Sequence, residues 1–158
     1  MKFVSTFAFL SFLLCVSLSA KSKDEYKTSL SSGTPAEKEE ALQYFIQSGK
    51  DSSLVPSTIE ILKTSNTPSL TVLAAIYLGK NGVAGDSTKA LKDRINTDSN
   101  KEVAYASLVG ILAIQLQNKE LEPEAKQAFD IANELHASDP FVKDLLDKVK
   151  LKNKKGFF

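Results

Sequence analysis

A helix pattern that occurs twice between Leu70 and Leu112 restricts the fold of this chain more than any other feature. Val72, Ala75, Leu78 and Gly79 stand where Val103, Ala106, Val109 and Gly110 stand 31 residues later, and another helical stretch lies between the copies. Small residues at Ala75 and Ala106 let neighbouring helices approach closely while apolar neighbours fill the space around them. The pattern predicts a helical repeat and an all-α chain of short antiparallel helices stacked as a solenoid.

The remaining segments read as helices with recognisable starts. Thr34-Pro35-Ala36-Glu37 combines an N-cap, a proline at the first helical position and an acid that can close a capping box. The helix it opens carries Ala41, Leu42, Phe45 and Ile46 as its apolar stripe. Further helices are expected over Asp51–Ser65, Leu70–Lys80 and Asp86–Asn96, the last capped by Asp86. Ser99-Asn100-Lys101-Glu102 reads as a second capping box, opening the most apolar helix of the mature chain through Val103, Leu108, Val109, Ile111, Leu112, Ile114 and Leu116. Glu122-Pro123 and Asp139-Pro140 start the last two. All five prolines fall at or near helix starts, where the missing N–H costs little. No run alternates long enough to make a strand.

Met1 to Ala20 stands apart. Lys2 gives it a positive start, Phe3 to Val16 is almost wholly apolar, and Ser17-Leu18-Ser19-Ala20 supplies small residues for cleavage after Ala20 or Ser19. This is the pattern of a secretory signal peptide, and its apolar run falls short of the roughly 20 residues a bilayer span needs. The alternative, a lipoprotein anchored at Cys15, is disfavoured by bulky Leu14 before the cysteine. The expected organisation is a signal peptide over 1–20, a polar lead-in over 21–33, a helical-repeat domain over 34–151 and a basic tail over 152–158. The lead-in, with Tyr26 and Leu30 four apart, reads either as a short helix or as a segment that orders on contact.

The middle of the chain resembles bacterial HEAT repeats of the short, phycobilin-lyase type. The likeness is carried by Ala74-Ala75-Ile76-Tyr77-Leu78-Gly79-Lys80, by Ala90-Leu91-Lys92, and by Asp98 five residues before Val103, with Ala106 and Val109-Gly110 closing the second copy. It covers about the middle third of the chain. The family often has Arg after the valine, where this chain has Ala104, and the period is shorter than the roughly 40–47 residues usual for HEAT units. The C-terminal part looks more like a tetratricopeptide helix, with Ala125, Phe129, Ala132 and Leu135 ahead of Asp139-Pro140. Both resemblances imply paired helices in a curved solenoid used mainly to hold partners.

Chemistry is sparse by comparison. His136 is the lone histidine and Cys15 the lone cysteine, so a mature chain without its leader has neither a disulfide nor a cysteine metal site. His136 reads as a surface or capping residue. There is no Gly-x-Ser-x-Gly elbow, and Gly79-Lys80-Asn81-Gly82 lacks the spacing of a phosphate loop. No catalytic residue, cofactor or metal is therefore expected. Removing the leader takes Lys2 from the 20 basic residues and nothing from the 19 acidic ones, which leaves the charges balanced and no footprint for nucleic acid.

Two surfaces remain for function. Lys63, Lys89, Lys92 and Arg94 lie on the more polar helices and are the expected partner contacts. Lys148, Lys150, Lys152, Lys154 and Lys155 precede Gly156-Phe157-Phe158 and read as a frayed, soluble terminus or as a contact for an anionic membrane surface or an acidic partner. The expected protein is a non-enzymatic scaffold or adaptor, monomeric, periplasmic or secreted after cleavage, holding a protein partner in a bacterial envelope. An envelope enzyme or enzyme subunit, or a lipid-anchored structural protein, is the alternative.

Overall fold

A computed structural model describes residues 21–117 and 121–154, and among these the fold is all-helical with no strand. The expected leader with Cys15 and residues 155–158 of the expected tail lie outside the described residues. Eight α-helices follow one another: α1 (Lys23–Ser32), α2 (Pro35–Gln47), α3 (Val55–Thr64), α4 (Pro68–Asn81), α5 (Asp86–Thr97), α6 (Lys101–Gln115), α7 (Pro123–Leu135) and α8 (Pro140–Lys154). A single 3-10 turn, Ser52–Leu54, leads into α3. No helix among the described residues is long and apolar enough to cross a membrane.

Residues 21–33 form a capped helix, the first of the two readings of that segment. Ser22 accepts from the Glu25 amide while the Glu25 carboxylate accepts from the Ser22 amide, and Leu30 is buried. Thr34 and Glu37 make the same reciprocal pair at α2, as the spacing predicts. Two other starts differ from expectation. Asn100, not Ser99, caps α6, its Oδ1 accepting from the amides of Glu102 and Val103 at 2.9 and 3.1 Å. Asp86 is the first residue of α5 rather than its cap, which is Gly85 at φ 88°. Residues 152–154, expected in the tail, continue α8.

The helices pack in two rows. In one, α2, α4, α6 and α8 touch in succession; in the other, α1, α3, α5 and α7 do. Contacts between the rows join α1 to α2, α3 to α4, α5 to α6 and α7 to α8. Polar ties show that next-but-one helices run in the same direction. Glu39 and Ile46 of α2 meet Ser69 and Lys80 of α4, while Thr88, Lys92 and Ile95 of α5 meet Glu122, Gln127 and His136 in the same order.

The most extensive of these contacts joins α4 to α6. A Cβ on Gly79 would stand 2.8 Å from the Cα of Gly110, and one on Gly110 would stand 2.9 Å from the carbonyl oxygen of Ala75. The two backbones therefore touch without side chains between them. The repeated Gly79 and Gly110 of the sequence pattern are the residues that meet. Around them Ala74, Ala75, Leu78, Leu91, Leu108 and Ile111 are fully or almost fully buried.

Buried or half-buried polar groups tie the ends of the helices together. The Glu122 carboxylate, at the cap position of α7, accepts from the Gly85 amide and the Thr88 hydroxyl, both at 2.6 Å, and from the Gln115 amide group. Its own backbone N–H donates to Gln115 Oε1 at 3.0 Å. Burial pushes the Glu122 carboxyl upward, but the bonds from Thr88, Gln115 and Gly85 outweigh it and leave the group below its usual range. On the other side of the core the Tyr77 hydroxyl donates to the Asp51 carbonyl, and Asn81 Oδ1 accepts from the Asp51 amide at 2.7 Å. Burial, reinforced by the Asp51 charge, pushes the Tyr77 phenol up to about 12.

Two outcomes follow from this packing. Alanine at Gly110 gains roughly 0.5–1 kcal/mol of helix preference but drives a methyl into backbone, an overpacking cost of about 1–3 kcal/mol. The net effect expected is a lowered melting midpoint for Gly110→Ala, and an unchanged or raised midpoint would contradict the contact. Because the folded Glu122 carboxyl titrates below its unfolded value, its contribution is complete above the unfolded value and is lost as pH falls through the folded one. Glu122→Gln should therefore lower stability at neutral pH and flatten its decline on acidification, read from urea melts across pH 3–7.

Candidate functional site

A concavity lies on the outer side of the α4–α6–α8 row. It is a groove of about 910 Å³ walled by Val72 and Ile76 of α4, Tyr105 and Val109 of α6 and Phe141 of α8, with Ala106 at its floor. Its mouth carries Asn100, Lys101, Glu102 and Asp139. The walls are apolar side chains left in water: Ile76 is 42% exposed, Tyr105 and Val109 39% each, and Phe141 72%. The local cause is spacing. Positions 72 and 76, and 105 and 109, are one turn apart, so each helix presents a ridge on the side opposite its core.

The ridge continues along α6 and ends at its C-cap, Leu116. Tyr105, Val109, Leu112 and Leu116 are spaced four, three and four residues, which confines them to an arc of about 60° at 100° per residue. The opposite side of the helix, Val103, Ser107 and Ile114, is buried. Leu116 is 67% exposed and Leu112 half-buried. The helix is thus apolar on two opposed faces; the molecule covers one and, at Leu112, part of the other.

The four expected partner contacts fall on the other row. Lys63 on α3 and Lys89 on α5 are exposed. Lys92 is half-buried, and its ammonium donates to Gln127 Oε1 of α7 at 3.1 Å. Arg94, expected as a partner contact, is turned inward instead: it pairs with Asp98 at 2.7 Å and donates to the Ser65 carbonyl at 2.9 Å, and both partners of the pair are largely covered. Arg94 therefore fastens α5 to the end of α3.

His136 occupies the capping position at the end of α7, as expected, but it is buried rather than on the surface, and its Nε2 bonds to the Ile95 carbonyl at 2.9 Å. That bond requires the tautomer protonated at Nε2. Among the described residues no three His, Cys, Asp or Glu side chains gather as a metal would require. The lining of the groove is suited to contact with apolar side chains, with charge of both signs only at its mouth. Neither a family model, nor a curated protein, nor a solved structure matches this chain.

The inward and outward basic residues should separate in a stability assay. Arg94→Ala leaves the Ser65 carbonyl without this side-chain donor and the Asp98 carboxylate with only the Asn100 amide, a loss of about 1–3 kcal/mol. Lys63→Ala and Lys89→Ala remove exposed side chains and should stay within about 0.5 kcal/mol of the parent. Equal midpoints for all three variants in denaturant melts would contradict this placement of Arg94.

Proposed function

We propose that this protein is an exported helical-repeat scaffold or adaptor, non-enzymatic, whose paired helices stack as a HEAT-like or tetratricopeptide-like solenoid and hold a protein partner in a bacterial envelope. The observation that carries the reading is the exposed apolar groove on α4, α6 and α8. Contiguous exposed apolar surface rimmed by polar residues marks interaction sites, because leaving it in water is unfavourable until a partner covers it. The succession of contacts within each row supports the solenoid reading, since a stacked array joins each repeat to its neighbours. The leader over residues 1–20 supports export to the periplasm or beyond.

On this reading the groove replaces the lysines of α3 and α5 as the principal docking surface. The basic stretch towards the C-terminus remains a second, electrostatic contact for an anionic membrane surface.

The test is capture of partners from envelope extract by the immobilised chain from Lys21 to Phe158. Val109→Glu places a charge on the groove wall without entering the core, and should reduce capture at least about tenfold, as loss of an apolar anchor does. Lys89→Glu should leave capture unchanged. Retained capture by Val109→Glu, with helical circular dichroism intact, would sink the groove as the docking surface.

A further inference from the structure

We propose that His136 is the positioning residue of the α4–α6–α8 groove: through a chain of hydrogen bonds it sets where Phe141, the wall contributed by α8, stands. The inference rests on the reading of that groove as a docking surface and adds the residue that shapes it from behind. His136 is not itself one of the groove's walls. It is a buried side chain that the groove does not touch, yet it stands five residues before Phe141. The links run outward from α5. Ile95 lies in the last turn of that helix, where carbonyls lack a partner within the helix. His136 supplies the partner, its Nε2–H donating to the Ile95 carbonyl at 2.9 Å across 41 residues of chain. Because His136 is also the C-cap of α7, the bond fixes the point at which α7 ends. The His136 carbonyl then accepts from the Asp139 amide at 3.0 Å, closing the tight turn that joins α7 to α8. Asp139 in turn caps α8, its Oδ1 accepting from the amides of Phe141 and Val142 at 3.0 and 3.1 Å.

Direction is what the apolar contacts of α8 do not supply. Val142, Leu146 and Val149 are buried and hold the helix against the core. Apolar burial is non-directional, whereas a hydrogen bond weakens steeply as its angle closes. Phe141 is 72% exposed, so its own side chain does little to anchor it. Its place is therefore inherited from the backbone of the first turn of α8, and that backbone is tied through Asp139 and His136 to the end of α5. Two groove residues move with this turn, Asp139 at the mouth and Phe141 on the wall.

Two substitutions separate the bond from the bulk of the ring. The amide nitrogen of glutamine stands as many bonds from Cβ as the imidazole Nε2 and also donates, so His136→Gln keeps the link. His136→Leu fills the space and removes the donor. Amide hydrogen exchange of the chain from Lys21 to Phe158 is the readout, because the Phe141 and Val142 amides report the last link directly. In His136→Leu their protection should fall at least about fivefold more than that of amides in α2 and α4, and His136→Gln should restore it. An equal fall throughout the chain would reduce His136 to general stability and overturn the proposal. So would unchanged protection at Phe141 and Val142, or a His136→Gln chain that behaves like His136→Leu. Capture from envelope extract should follow the same order, retained by His136→Gln and weakened by His136→Leu. Full capture by His136→Leu beside lost capture by Val109→Glu overturns the role of His136 and leaves the docking reading standing. Undiminished capture by Val109→Glu removes the docking reading alone, and the exchange comparison then decides the placement of Phe141 by itself.

Discussion

The backbones of α4 and α6 touch at Gly79 and Gly110, and much of the rest of the structure depends on that approach. Any side chain at either position would meet main-chain atoms under 3.0 Å away. With the helices so close, Leu78, Leu91, Leu108 and Ile111 close around the junction and are shut off from water. The successive packing of α2 on α4 and of α6 on α8 extends the same row in both directions. Dispersion contacts are individually small and fall off steeply with a gap, so an opening here would weaken many of them together.

The outer face has the opposite character. The ridges of α4 and α6 that carry Ile76, Tyr105 and Val109 point away from the junction, and α8 adds Phe141 beside them. Polar groups elsewhere are spent on internal ties: Glu122 on α5 and α6, Arg94 on Asp98 and the end of α3, His136 on the Ile95 carbonyl. These bonds fix the helices relative to one another, while the apolar ridges of α4, α6 and α8 stay exposed. That division sets polar fastening inside against apolar display outside.

Local signals were readable from sequence because their causes are local. Thr34 and Glu37 cap α2 as their spacing requires, and the prolines at 35, 68, 123 and 140 each open a helix. The 31-residue pattern pointed to Gly79 and Gly110, although only the structure brings them into contact. The groove was hidden for a physical reason: α6 is apolar nearly all round, so periodicity alone did not separate Val109 and Leu116, which face water, from Leu108 and Ile114, which face the core. At α8 the same ambiguity exposes Phe141 and buries its neighbour Val142. Arg94 looked like a surface charge because Ser65, its carbonyl partner, is 29 residues away in the chain.

The central claim, that α4 and α6 meet backbone to backbone, is open to one direct measurement. Proton NMR of the isotope-labelled chain should give strong cross-relaxation between the Hα protons of Gly79 and Gly110, since their Cα regions are in van der Waals contact. Absence of that cross-peak, with both glycine resonances assigned and the helices formed, would contradict the account.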